Sequence, residues 1–284
     1  MARQLLGKEV TVAMNEKIKS NVAILQEKGI TPTLGIIRVG ERDDDISYER
    51  GAAKRCETLG VAYEKFFLPQ DVTEEALLEV IDQVNKNDAI HGVLLFRPLP
   101  KHLNEEKIIN ALDFAKDVDG ITDGSLAGVF AGKKQGFAPC TPQGCMEILD
   151  YYGINCTGKK VVVVGRSLVV GKPAAMMLVQ KNATVTICHT KTKDMTSVVK
   201  EADIVIVAAG KAGVIDGSYL REGQIVIDVG INVNEEGRLC GDVKYDEAKK
   251  IVAAITPVPG GTGSVTTSVL VGHVVEAAMR KYCM

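Results

Sequence analysis

Lys160-Val-Val-Val-Val-Gly165-Arg-Ser-Leu-Val-Val-Gly171-Lys-Pro173 is the stretch on which the fold turns. A β-branched apolar run, a glycine turn and then an apolar segment of helical spacing form a strand–turn–helix unit. Glycine lets the backbone come close to a phosphate, and a helix start offers free N–H groups and the positive end of its dipole. The spacing is G-x5-G rather than G-x-G-x-x-G, so this loop alone fits a plain βα turn equally well. The next strand sharpens the reading. A dinucleotide unit that binds NAD places a carboxylate about 20 residues on, for the ribose 2′-hydroxyl. Here Ala183–Cys188 runs into His189-Thr-Lys-Thr-Lys193, with no acid. Hydroxyl and basic groups suit a 2′-phosphate, and Arg166 can fork onto it, which favours NADP and leaves NAD open.

Working outward, strands read at 203–208 and 224–229 and helices at 171–181 and 194–202, an alternation that predicts a parallel α/β layer. The first half alternates in the same way. Strands read at 33–39, 62–68 and 90–96, and helices at 9–28, 46–59 and 104–112, with another opened by Asp71/Thr73. Between the halves, glycines at 120, 124, 128, 132 and 136 break up a stretch of weak apolar pattern, and the domain junction is placed there. After the glycine-rich loop Gly260–Gly263, Val265–Tyr282 reads as one closing helix.

Composition narrows the function classes. The chain has 284 residues and a formal charge of −2, so no broad polyanion-binding surface is announced and no nucleic-acid partner is expected. The seven cysteines lack C-x-x-C spacing, which argues against a disulfide framework or a zinc site and for a reducing, cytoplasmic setting. His91, His102, His189 and His273 show no metal spacing, and no metal is expected. No apolar run reaches the ~18 residues of a membrane span.

Six motifs together resemble the methylenetetrahydrofolate dehydrogenase/methenyltetrahydrofolate cyclohydrolase family. They are Gly165-Arg-Ser…Val-Gly171-Lys-Pro173, Cys188-His-Thr-Lys-Thr192, Pro257-Val-Pro-Gly-Gly261, Lys116-Asp-Val-Asp-Gly120, Pro139-Cys-Thr-Pro142 and Pro98-Leu-Pro100. The resemblance spans essentially the whole chain, in the family's order. It implies two α/β domains flanking a cleft, the second a Rossmann-like NAD(P)-binding domain, and usually a homodimer. The implied division is 1–120 plus 266–284 for folate and 121–265 for the nucleotide. The implied reaction is hydride transfer from a methylenetetrahydrofolate to NADP, followed in most members by hydrolysis of the methenyl product. By the same resemblance Tyr48 lines the folate site and Asp119 binds the pterin edge, these two being the catalytic candidates. Gly165, Arg166, Ser167, Gly171, Thr190, Ile231, Gly260 and Gly261 are the cofactor-binding candidates. Cys140 and Cys145 read as small buried thiols rather than nucleophiles.

Two positions depart from the family. Its tyrosine is followed by Tyr-x-x-x-Lys, whereas Tyr48-Glu-Arg-Gly-Ala52 puts alanine at the lysine position. The Gln two residues before Pro-Leu-Pro is Phe96. Lys54 lies about 200° around the helix from position 52 and cannot substitute. Arg55 returns to the tyrosine face, but a guanidinium stays protonated and cannot act as a base. The expectation is a dehydrogenase whose cyclohydrolase step is impaired. A fully bifunctional enzyme is the alternative, and a folate- or nucleotide-binding regulator or a dehydrogenase of another ring compound the more distant ones.

Overall fold

The computed structural model describes residues 1–283. From the N-terminus the chain runs through β1 (Arg3–Gln4), α1 (Gly7–Glu27), β2 (Thr33–Val39), α2 (Asp43–Leu59), β3 (Ala62–Leu68), α3 (Glu74–Lys86) and β4 (Gly92–Leu95). Three helices follow: α4 (Glu105–Ala111), α5 (Asp123–Ala131) and α6 (Cys140–Tyr151). Then come β5 (Lys160–Val164), α7 (Gly171–Gln180), β6 (Thr184–Cys188), α8 (Met195–Glu201), β7 (Ile204–Val207) and β8 (Ile225–Asp228). The chain closes with β9 (Asn232–Val233), β10 (Leu239–Cys240), α9 (Tyr245–Ala248), β11 (Ala254–Ile255) and α10 (Thr266–Tyr282).

Two compact units divide these elements. One joins residues 1–12 to 141–266, and the other joins residues 13–140 to Thr267 onward. The division expected from the sequence put residues 1–12 and 121–140 in the opposite units. Residues 1–12 fall with the second half because β1 adds a strand to its sheet, pairing Arg3 with Ala254 and Gln4 with Ile255. A two-residue strand has too little pattern to be read locally. The stretch 121–140 is not the featureless junction its glycines suggest, because α5 occupies 123–131. The Thr122 hydroxyl accepts from the Ser125 N–H to cap that helix. Its glycine Gly128 serves packing: a Cβ there would lie 2.2 Å from the Gln135 carbonyl oxygen.

The unit around 13–140 is built on a three-stranded parallel sheet of order β3-β2-β4. Helix α2 starts with Asp43, Asp44 and Asp45 at the positive end of its dipole and stops at Gly60, whose φ is 73°. Helix α3 starts where the sequence indicates, with the Thr73 hydroxyl accepting from the Ala76 N–H. It turns Leu77, Ile81 and Val84 onto Ile37, Val93 and Leu95 of the sheet. Each fully buried side chain of this size contributes about 1.5–3 kcal/mol. Beneath β2 and β3, Glu49 is enclosed between Arg38 Nε at 3.0 Å and Lys65 Nζ at 2.8 Å.

The other unit carries a six-stranded parallel sheet of order β1-β11-β8-β7-β5-β6. Strands β5, β7 and β8 are near-continuous apolar runs, as the middle of a parallel sheet covered on both faces requires. Val162, Val164, Val205, Val207, Val226 and Ile255 form its buried core. From β5 the chain winds outward to β6 and then returns to β7 on the far side of β5. That reversal between β5 and β7 is the switch point at which open α/β sheets take ligands, outside the carboxyl ends of the strands.

Candidate active site

In the first of these sheets, β4 and the Lys116–Asp119 segment run side by side. The Val93 N–H donates to the Lys116 carbonyl at 2.7 Å, and Val93 pairs with Asp117 in parallel register. This register delivers Phe96 and Arg97 from one segment and Asp119 from the other to the same end. Asp117 is buried and structural, its carboxylate accepting from the Ile121 N–H at 3.0 Å and the Thr122 N–H at 2.7 Å. Lys116 is structural too. Its ammonium donates to the Val84 and Asn87 carbonyls at 2.7 Å each, closing the end of α3.

Asp119 is different because no backbone donor among the described residues is bonded to its carboxylate. It is half-buried, and burial pushes its carboxyl up to about 6, opposed by the Cys140 thiol and the Arg97 charge and assisted by Asp117. The Cys140 thiol lies within reach of Asp119 and donates to the Val118 carbonyl at 3.3 Å. The same carbonyl accepts from His273 Nδ1 at 2.8 Å, which fixes that ring's tautomer, and burial keeps the imidazole neutral. Burial raises the Cys140 thiol well above its ordinary range and the Cys145 thiol to about 12, so neither is a thiolate nucleophile.

Tyr48 lies half-buried on α2, and Phe96 meets it edge to face with ring centroids 5.9 Å apart and planes at 84°. Ala52, one turn along α2 from Tyr48, is fully buried. Lys54 is exposed and Arg55 half-buried, as the helical angles require, and burial pulls Arg55 down from its ordinary value. The aromatic pair and the alanine put no titratable side chain at positions 52 and 96.

The nucleotide candidates lie beyond the carboxyl ends of β5, β6, β8 and β11 in the other sheet. Gly165 follows β5 with φ 133°, and a Cβ there would lie 2.2 Å from the Ala208 carbonyl oxygen at the end of β7. A Cβ on Gly171 would lie 2.2 Å from the Gly165 carbonyl oxygen. Only glycine permits either approach, and the turn is thereby kept tight and bare. Val170 offers no side-chain cap to α7; the Lys172 N–H donates to the Ser167 carbonyl at 3.0 Å, the Ala174 N–H to the Val170 carbonyl at 2.9 Å, and Pro173 has no N–H. Arg166 and Ser167 stand exposed on the turn, with the Ser167 hydroxyl accepting from the Val170 N–H at 3.1 Å. Across from it, Thr190 is exposed on a loop pinned by Thr192, whose hydroxyl accepts from the His189 N–H at 2.9 Å. Ile231 is 66% exposed after β8. The Gly260–Gly261 loop is tied to the start of α1, where the Gly7 N–H donates to the Gly260 carbonyl at 2.9 Å.

Sequence reading passed over two acids here. Asp228 and Asp242 are buried, and desolvation pushes Asp228 up to about 6 against three backbone N–H donors. The signal available was an acid closing the apolar run Ile225-Val-Ile-Asp228. Among the described residues no group of three or more His, Cys, Asp and Glu is arranged to hold a metal ion.

A doubly wound sheet with a glycine turn at its switch point, joined in one chain to a second parallel α/β unit, is the build of a dinucleotide-dependent dehydrogenase. Residues 5–119 match the model of the tetrahydrofolate dehydrogenase/cyclohydrolase catalytic domain, and residues 139–282 match the NAD(P)-binding domain of the same family. The chain belongs to that family. It is 53% identical to the bifunctional protein FolD of Carboxydothermus hydrogenoformans over 98% of this chain and 97% of that protein. The crystal structure of a bifunctional FolD methylenetetrahydrofolate dehydrogenase/cyclohydrolase from Campylobacter jejuni superposes with a TM-score of 0.96. It is 38% identical and covers 99% of this chain and 100% of its own. A Trypanosoma brucei FolD, solved with NADP and an inhibitor, gives 0.92 at 34% identity over 100% and 99% of the two chains.

Proposed function

We propose that the protein oxidises 5,10-methylenetetrahydrofolate to the 5,10-methenyl form by hydride transfer to NADP, with its cyclohydrolase step weak or lost. The family and its named relatives support the first reaction. The second clause rests on one observation: a buried Ala52 and an aromatic Phe96 packed on Tyr48 stand where the family carries lysine and glutamine.

The two reactions ask different things of these residues. When the methylene carbon gives up a hydride, its two electrons leave with the hydrogen and the adjoining nitrogens spread the positive charge that remains. No proton moves, so no base is needed and the protein's task is positioning. Bound NADP supplies the hydride acceptor. In this reading Tyr48 lines the folate site, and the Asp119 carboxylate accepts hydrogen bonds from the pterin amino group and ring N–H. Gly165, Ser167 and Gly171 face the phosphates, Arg166 and Thr190 take the 2′-phosphate, and Ile231, Gly260 and Gly261 border the nicotinamide end. The absence of an acid from residues 189–193, directly after β6, fits NADP better than NAD. Hydrolysis, by contrast, adds water to the methenyl carbon and must remove a proton, the step in which a tuned lysine matters.

The relatives named bifunctional favour the second reading, a complete dehydrogenase/cyclohydrolase. A homodimer in the cytoplasm completes the proposal; no helix among the described residues is long and apolar enough to cross a membrane. The deciding experiment mixes the protein with methylenetetrahydrofolate and NADP or NAD, follows reduced nucleotide, and separately follows methenyl absorbance without nucleotide. NADPH formation with methenyl decay at the spontaneous rate is expected. Rapid enzymatic decay that Ala52→Lys does not raise would establish the bifunctional reading instead.

A further inference from the structure

The loops after β7, β8 and β11 leave the same edge of the six-stranded sheet, and two enclosed carboxylates hold them. Asp242, which is 0% exposed, accepts four hydrogen bonds. Its Oδ2 takes the Ala209 N–H at 2.6 Å and the Gly210 N–H at 2.8 Å, and its Oδ1 takes the Lys211 N–H and Asn232 Nδ2, both at 2.9 Å. Three consecutive backbone donors of the loop after β7 therefore converge on one side chain. That loop begins at Ala208, whose carbonyl is the group pressed against Gly165.

Asp242 is itself anchored to the next strand. Its own N–H and that of Gly230 donate to Asp228 Oδ1, and the Val243 N–H donates to Oδ2, each at 3.0 Å. The Asp228 main chain is gripped from the third loop. Its N–H donates to the Thr256 hydroxyl at 2.7 Å, and its carbonyl accepts from the Thr262 hydroxyl at 3.0 Å. The neighbouring glycines leave room for this arrangement. A Cβ on Gly230 would lie 2.3 Å from Asp242 Oδ1, and one on Gly241 would lie 1.9 Å from Asp228 Oδ2.

We infer that Asp242 is a positioning residue for the dinucleotide: its carboxylate sets the backbone after β7 as one wall of the crevice beside Gly165. The inference rests on the nucleotide reading of this unit. The chemistry calls for an acceptor-only group. A carboxylate offers lone pairs to all four donors, whereas an amide would turn its own N–H groups toward backbone N–H groups. Because Asp242 consumes the donors of residues 209–211, the phosphates are left to the Gly165–Gly171 turn. Through Asp228 the same network joins this wall to Ile231 and to the loop bearing Gly260 and Gly261.

The test is NADPH binding to the full-length Asp242→Asn protein, followed by nucleotide fluorescence, beside melting temperature and the KM for methylenetetrahydrofolate. A Kd raised about tenfold or more, with the folate KM unchanged, is expected, since hydrogen bonds to a charged group are at stake. A lowered melting temperature with an unchanged Kd would mean a merely structural role and overturn the inference. If Asp242→Asn does not fold, Asn232→Ala removes one donor and keeps the carboxylate. It is expected to weaken NADPH binding severalfold, and an unchanged Kd overturns the inference. Wild-type protein that binds neither NADPH nor NADH would overturn the nucleotide reading itself and the inference with it.

Discussion

Phe96 and Tyr48 meet edge to face, with ring centroids 5.9 Å apart. Side chains in this geometry gain about 0.5–1.5 kcal/mol beyond the area they bury. Phenylalanine at 96 is therefore built into the packing of α2 against the end of β4, and it takes part in fixing the tyrosine. Restoring glutamine alone removes that contact without supplying a base. The double variant Ala52→Lys/Phe96→Gln is expected to raise methenyl hydrolysis about a hundredfold above wild type, the lower range of general-base catalysis. Phe96→Gln alone is expected to raise it little. Methenyl absorbance decay in the absence of nucleotide checks both.

The Asp119 carboxyl, pushed up to about 6 by burial, sets a pH limit for folate. In the proposed role it is ionised above that value and accepts from the pterin; below it the carboxyl is protonated and loses an acceptor. The kcat/KM for methylenetetrahydrofolate is expected to fall as pH drops through about 6, while the KM for NADP stays level. Asp119→Asn should lower kcat/KM and abolish that inflection. Stability runs the other way, because a carboxyl raised in the folded state favours folding at low pH and loses that contribution as pH rises from 3.8 through about 6.

Arg166 is exposed, so its replacement leaves the fold intact. Arg166→Ser is expected to lower kcat/KM with NADP about tenfold while changing that with NAD little, as loss of a guanidinium–phosphate pair requires. Steady-state rates with the two nucleotides measure it, and an equal loss with both would remove the 2′-phosphate from its role.

Gly165→Ala brings a methyl group to 2.2 Å from the Ala208 oxygen at φ 133°. Strain of about 1–3 kcal/mol is expected, with a matching loss of NADPH affinity as the turn shifts. A denaturation curve and a nucleotide titration on the same variant separate the two effects.

Glu49 carries a different burden, since it neutralises Arg38, which also donates to the Gly40 carbonyl and lies over the Phe67 ring. Glu49→Ala leaves a buried guanidinium without its counter-charge and is expected to cost about 3–5 kcal/mol in urea denaturation.

Legibility followed how local each signal was. The β5–Gly165–α7 unit was readable because its strand, turn and helix are contiguous, and α3 because Thr73 and its apolar spacing mark it. The 123–131 helix was not, since its glycines pack against Phe114 and Gln135 and the chain signal resembles a linker. Strand β1 was invisible for a related reason: two residues become a strand only through partners some 250 positions away. In the candidate site, Gly165 and Arg166 could be found from motif and chemistry. Tyr48 and Asp119 needed the family's pattern, since each alone passes for a packing residue or a turn. Asp242 was hidden because its four donors come from the loop after β7 and from β9, segments apart from it in sequence.

The pairing of Arg3 with Ala254 and Gln4 with Ile255 has a consequence for synthesis. Strand β1 must wait for β11, the last of the described strands, before it has a neighbour. The unit around 13–140 waits as well, because its share of the chain resumes only at Thr267. Neither half can mature as a vectorial, N-terminus-first intermediate, and such delayed long-range closure slows folding and prolongs the exposure of unpaired edges. Cutting the chain near residue 140 would therefore release two incomplete fragments rather than two working domains.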